Sequence, residues 1–161
     1  GDYQGKGAHG LMSELRELYQ EVILDHNKNP RNFKKLDLHS HHANGHNPLC
    51  GDKLELFLDV VEGIITDISF VGSGCAISTS SASLMTQFLK GKSIEETRHY
   101  FDNFHDLVTG KELDDEALEG LGKLAVFAGV QEFPARVKCA SLSWHTLINA
   151  LDSVDEPAAT E

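Results

Sequence analysis

Hydrophobic positions recur with a readable period over most of the chain. Leu15, Leu18, Tyr19, Val22 and Ile23 fall at helical spacing, with Ser13 placed to cap them and Pro30 beyond the end. The stretch from His39 to Asp52 has no such period. It carries two turn signals, Asn44-Gly45 and Asn47-Pro48, and reads as loop-rich or edge-like. After it Leu54, Leu56, Leu58 and Val60 alternate with Lys53, Glu55, Phe57 and Asp59. Glu62-Gly63 turns the chain, and Ile64, Thr66, Ile68 and Phe70 share one face of the return. The pattern predicts an antiparallel hairpin with one buried face.

Helical patterns follow. Gly72-Ser73-Gly74 ends the hairpin and leads through Cys75 into a helix with Ile77, Leu84 and Phe88 on one stripe, ending near Gly91. Ser93-Ile94-Glu95-Glu96 is a capping box, and opens a helix carrying Ile94, Phe101, Phe104 and Val108. Leu118, Leu121 and Ala125 fall in step over Glu116 to Val126. Trp144, Leu147, Ile148 and Leu151 mark a last helix from about Val137 to Leu151. Strands early and helices late predict an α+β fold, a small antiparallel β-sheet with helices packed on one face.

At 161 residues, with 40% hydrophobic and 24% charged side chains, the chain is expected to form one globular domain. The glycine-rich opening, Gly1 to Leu11, is patternless and reads as an expression remnant ahead of Met12. The domain is then expected over 12–154, with an acidic, flexible tail over 155–161. Net charge is −11, from 25 acidic and 14 basic side chains. That argues against a nucleic-acid partner, whose phosphates need Lys and Arg. No apolar run approaches the roughly 20 residues that span a bilayer, and no segment reads as a signal peptide. The expectation is a cytoplasmic protein without a membrane partner.

Three cysteines, an odd number, make a poor disulfide framework, so metal-binding or reactive thiols are the better reading. Cys50-Gly51-Asp52 stands just before the hairpin and Cys75 just after it. A hairpin returns to where it began, so these positions are neighbours. Cys139 is expected in the first turn of the last helix, and its closeness to the others does not follow from pattern. Helix N-termini at Cys75 and Cys139 would stabilise thiolates. Three thiolates and a carboxylate can fill a tetrahedral zinc shell. The plain alternative is three small buried hydrophobes. Against it, Cys139 lies roughly 140° from Trp144 at about 100° per residue, and Cys75 also falls off its helix's apolar stripe.

Other candidates are weaker. His39, His41, His42 and His46 read mainly as a solvated polar loop, with a secondary metal contact as the alternative. His99, His105 and His145 lie on predicted helices without nameable partners. Asp25 and His26 read as an ordinary solvated helix end. Arg136 and Lys138 flank Cys139, either as surface charge or as groups that lower its pKa or meet an incoming sulfur donor.

The stretches 18–26 (Leu-Tyr-Gln-Glu-Val-Ile-Leu-Asp-His), 47–52 (Asn-Pro-Leu-Cys-Gly-Asp), 72–78 (Gly-Ser-Gly-Cys-Ala-Ile-Ser) and 136–142 (Arg-Val-Lys-Cys-Ala-Ser-Leu) resemble the U-type iron–sulfur assembly proteins, in that family's order. The resemblance runs from about Glu14 to Leu151 and is nearer the SufU branch than the IscU branch. Lys138 stands where IscU-type chains carry histidine. Gly91 to Gly120 resembles the SufU-type insertion. Phe133-Pro134-Ala135-Arg136-Val137 replaces the chaperone motif of IscU-type chains. The resemblance implies a zinc site of Cys50, Asp52, Cys75 and Cys139, a SufS-type cysteine desulfurase as partner, and downstream iron–sulfur assembly proteins as receivers. A partner ligand would displace Cys50 from the zinc, and the freed Cys50 would accept persulfide sulfur, with Arg136 nearby in support. Two alternatives stay open: a scaffold that holds iron or a transient iron–sulfur cluster on the same ligands, and a structural zinc domain that serves as an interaction surface.

Overall fold

The hairpin forms where the alternation predicts it. In the computed structural model, which describes residues 17, 19–153 and 157–159, β2 (Asp52–Val61) and β3 (Ile64–Ser73) pair antiparallel. Glu62 and Gly63 close the turn with φ of 51° and 77°. Two positive φ angles in succession make the turn whose twist matches paired strands. Leu54, Leu56 and Leu58 are buried on the expected face. The return strand departs from expectation at its start. Asp59 pairs with Asp67 but Val60 with Ile65, which leaves Thr66 as an extra residue, its hydroxyl donating to the Asp59 carbonyl at 2.9 Å. One inserted residue reverses the alternation. Ile65 therefore joins Ile68 and Phe70 in the core, while Ile64 is 37% exposed and Thr66 is exposed.

The segment expected to be loop-rich contains β1 (His41–Asn47), paired antiparallel with β2 from His41↔Leu58 to Asn47↔Asp52. Its inward positions are Ala43, Gly45 and Asn47. None is a large hydrophobe, so the alternation is invisible to a hydropathy reading. Gly45 is small because the last helix crosses directly over it: a Cβ there would run into the Thr146 hydroxyl. On the other side of β1, β4 (Ala158–Ala159) pairs parallel with Gly45 and His46. The sheet order is β3-β2-β1-β4, and the short parallel edge makes it mixed rather than wholly antiparallel.

Residues 19–28 form α1. Then come α2 (Ala76–Leu89) and α3 (Ile94–Thr109), the latter opened by the predicted Ser93/Glu96 capping box. A single helix expected over Glu116 to Val126 is instead α4 (Asp115–Leu121) followed by a 3-10 segment, Gly122–Val130. Leu121, Leu124, Phe127 and Val130 are all buried, and their spacing of three matches the three residues per turn of a 3-10 helix. Finally α5 (Pro134–Leu151) begins with Pro134 in its first turn, about one turn earlier than the expected Val137.

The inner face of the sheet and helices α2 and α5 enclose the core. Small residues let the two helices approach closely, and the Ser81 hydroxyl donates to the Ala140 carbonyl at 2.6 Å. Trp144 stacks on Phe104 with centroids 4.6 Å apart, and Phe104 meets Phe127 edge-on, tying α5 to α3 and the 3-10 segment. Outside the described residues lie Gly1 to Leu11, Ser13, Leu15 and Leu18, and from the acidic end 155, 156, 160 and 161. Among the described residues no helix is long and apolar enough to cross a membrane.

Candidate metal centre

Strand pairing builds most of the site. Asn47 ends β1 opposite Asp52, which starts β2, and the turn between them carries Cys50. Gly51 closes that turn at φ 71°, a left-handed conformation open to glycine. At the far side of β2, Lys53 pairs with Ser73, so the chain leaving β3 arrives beside Asp52. Gly74 lies so near the carboxylate that a Cβ would stand 2.5 Å from Asp52 Oδ1. The next backbone N–H, from Cys75, donates to the same oxygen at 2.8 Å. Cys75 is the N-cap of α2, and its Sγ accepts from Ser78 N–H at 3.4 Å. Cys139 arrives from α5.

The structure brings the ligand atoms of Cys50, Asp52 and Cys139 within 4.8 Å of one another. The Cys139 thiol donates toward Cys50 Sγ at 3.4 Å. Cys75 lies outside that group of three and borders it through its backbone N–H on Asp52. Cys139 is thus the hub, its thiol donating toward Cys50 and accepting from the Asn47 NH2 group at 3.6 Å. Tetrahedral zinc with ligands at about 2.0–2.3 Å sets its ligand atoms about 3.3–3.8 Å apart. The Cys50–Cys139 spacing falls in that range, and thiolate and carboxylate donors suit zinc. The cluster can hold a metal.

The two helix cysteines differ in acidity. The Cys139 hydrogen bond and the Ser78 N–H hold the Cys75 thiol down to about 6 against the pull of burial. Cys139 is pushed far above the ordinary thiol range, first because its proton is held by Cys75, then by burial. Because α5 starts at Pro134, Cys139 is its sixth residue, past the free N–H groups of the first turn that were expected to stabilise its thiolate. A metal bound by these thiols would displace their protons.

The remaining candidates lie elsewhere or act at a distance. Arg136 is exposed, with its guanidinium over the Phe133 ring at 4.4 Å. Its charge reaches the Tyr19 phenol. The four histidines expected in a loop, three of them in β1, stay out of the cluster: His39 and His42 pack on Phe57, and His42 pairs with Glu55 at 2.9 Å. His145 is depressed by burial and by His105, and both pack on Phe101. Asp25 pairs with Arg31 at 2.7 Å on the surface. His26, expected to be solvated, is buried, with Nδ1 2.7 Å from the Ser83 hydroxyl. Burial depresses its pKa. The residue missed by sequence reasoning is Asn47. Its place before proline marked a turn, and nothing in the pattern showed that its side chain is buried against Asp52 and Cys139.

A family model described as NifU-like N terminal domain matches residues 18–140. The chain belongs to this NifU-like family. The matched span contains all of Cys50, Asp52, Cys75, Arg136 and Cys139. Among NifU-like relatives, the zinc-dependent sulfurtransferase SufU of Bacillus subtilis is 45% identical over 135 residues, covering 84% of this chain and 90% of that one. The iron–sulfur cluster assembly scaffold protein IscU of Streptococcus pyogenes is 41% identical over 141 residues, covering 87% and 86%. The crystal structure of the SUF-system protein FiSufU from Fervidobacterium islandicum superposes with a TM-score of 0.77 at 34% identity, covering 84% of this chain and 97% of that one.

Proposed function

We propose that this NifU-like protein accepts persulfide sulfur on Cys50 from a SufS-type cysteine desulfurase and passes it to downstream iron–sulfur assembly proteins. The site is a zinc centre formed by Cys50, Asp52, Cys75 and Cys139, in a single domain over 12–154 that works in the cytoplasm. One observation carries the reading. Of the clustered ligand groups, Cys50 is exposed on a turn while Asp52 and Cys139 are buried. The exposed thiol is therefore the one most open to a partner's cysteine, ahead of the half-buried Cys75. The name of the Bacillus subtilis relative, a zinc-dependent sulfurtransferase, supports the same activity.

Bound zinc would supply a positive charge that keeps the clustered thiols deprotonated near neutral pH. The reaction itself belongs to the chain's sulfur atoms. The Cys50 thiolate attacks the outer sulfur of the desulfurase persulfide, the donor S–S bond breaks, and a new S–S bond forms on Cys50. The donor cysteine leaves as a thiolate, so the transferred sulfur keeps its oxidation level and no outside electrons are needed. Leu49 and Phe133 expose apolar side chains, and Arg136 stacked on Phe133 adds a positive charge. Arg136 supports the incoming anionic persulfide from that position.

The mixed thiolate–carboxylate donor set favours a second reading, a scaffold on which iron or a transient cluster assembles. One preparation separates the two. About one zinc per chain, with a large rise in alanine release when the protein is added to a cysteine desulfurase, supports sulfur acceptance. Iron and sulfide in the protein with no rise in alanine release supports the scaffold and overturns the acceptor.

A further inference from the structure

The geometry points to Asn47 as a positioning residue that fixes Asp52 and Cys139 as the permanent ligands of the metal centre and leaves Cys50 as the releasable one. Asn47 is fully buried. Its carboxamide is oriented by the N–H of Leu49, which donates to Oδ1 at 3.3 Å. That leaves the NH2 group facing the site, where it donates to Asp52 Oδ2 at 3.3 Å and to Cys139 Sγ at 3.6 Å. One side chain thus joins β2 to α5 across the floor of the site and ties both to the turn that carries Cys50.

The consequences differ for each ligand. Asp52 Oδ1 is engaged by the Cys75 N–H and Oδ2 by Asn47, so the carboxylate is held at both oxygens. Hydrogen bonds of this kind fix a ligand's orientation and steady an anionic sulfur. Cys139 gains such a donor, whereas Asn47 makes no bond to the Cys50 thiol. Asn47 restrains Cys50 only through the backbone of its neighbour Leu49, which is itself 66% exposed. The amide therefore stabilises two ligands and guides the third without clamping it.

This assignment rests on the metal-centre reading, and its test keeps the two apart. Asn47→Ala removes every side-chain contact. Asn47→Ser keeps a short oxygen that can still accept from the Leu49 N–H, as serine does in turns, but is too short to reach Asp52 and Cys139. Zinc release to an excess of chelator and the sulfur-to-metal charge-transfer band of the Co2+-substituted protein are measured for both variants and the parent chain. If Asn47 works through its NH2 group, both variants release zinc at least about tenfold faster, within the roughly 10–100-fold cost of losing such a partner, and both shift the Co2+ band. If Asn47 only shapes the turn, Asn47→Ser matches the parent in rate and band, and the assignment is overturned. Should Asn47→Ala not fold, Asn47→Ser decides alone. A parent chain that takes up neither metal overturns the metal centre itself, a result distinct from unchanged variants in a parent that binds.

Discussion

Asp52 and Cys139 are held from several sides, whereas Cys50, 3.4 Å from the Cys139 sulfur, stands on an exposed turn. The carboxylate is fully buried, touched by Asn47 and Cys75, and Gly74 lets the chain pass beside it. Cys139 is buried on α5 and its sulfur is bonded to both Cys50 and Asn47. Cys50 has Gly51 on one side, in a left-handed conformation, and the exposed Leu49 on the other. A ligand is made releasable not by weakening its own bond but by giving it few contacts outside that bond. Floor and lip thus divide the work: the floor keeps the metal, the lip meets the partner.

The largest effect that bears on this division is expected from the floor. Cys139→Ala removes the hub, and metal affinity should fall by more than the roughly 100-fold that loss of an outer partner costs. Metal analysis after gel filtration should then find far less than one zinc per chain. A stoichiometric zinc content in Cys139→Ala would show that the hub lies elsewhere. Next comes Gly74→Ala, which presses a methyl group onto Asp52 Oδ1. Overpacking of this sort costs about 1–3 kcal/mol, and thermal unfolding should show that loss together with weaker zinc retention. An unchanged melting temperature means that the carboxylate has room to move and the floor is less rigid than the geometry indicates.

Arg136→Ala probes the exposed surface at the start of α5. Its contact with Phe133 is worth about 0.5–1 kcal/mol at an exposed site, so the melting temperature should barely move while desulfurase stimulation falls. Equal zinc content and undiminished stimulation would remove Arg136 from the functional surface.

The smallest effect lies away from the site, at His26. Burial holds its folded-state pKa below the usual value near 6.5, with Arg31 and Lys123 acting the same way and Asp25 opposing. The unfolded chain then binds the proton more readily. Stability should be fully present above about pH 6.5 and fall as pH drops below it. Melting temperatures of His26→Gln measured across that range should decline less than those of the parent. A parallel decline assigns the acid sensitivity to other groups.

Legibility in the sequence follows the same physical lines. The β2–β3 hairpin was readable because its inward positions are large hydrophobes, and from it the nearness of Cys50, Asp52 and Cys75 followed. β1 was not, because α5 lies against Gly45 and leaves room for no side chain there. The bulge at Thr66 changes the register without any mark in the hydropathy, and so moves Ile65 inside and Ile64 out. Leu121, Leu124, Phe127 and Val130 did carry their 3-10 spacing openly, but a search at the α-helical period passes over it. Cys139 reaches the site through long-range packing of α5 on β1 and α2, which no local pattern encodes. Asn47 shows the same limit: its turn was legible, its buried hydrogen bonds were not.

The central claim is that Cys50 is the acceptor while the floor retains the metal. Its most direct test is to incubate the zinc-loaded protein with a cysteine desulfurase and cysteine, trap the thiols, and map by peptide mass spectrometry which cysteine carries the added sulfur. The expected result is an added sulfur on Cys50 and none on Cys75 or Cys139. Sulfur on Cys75 or Cys139, with Cys50 unmodified, would contradict it.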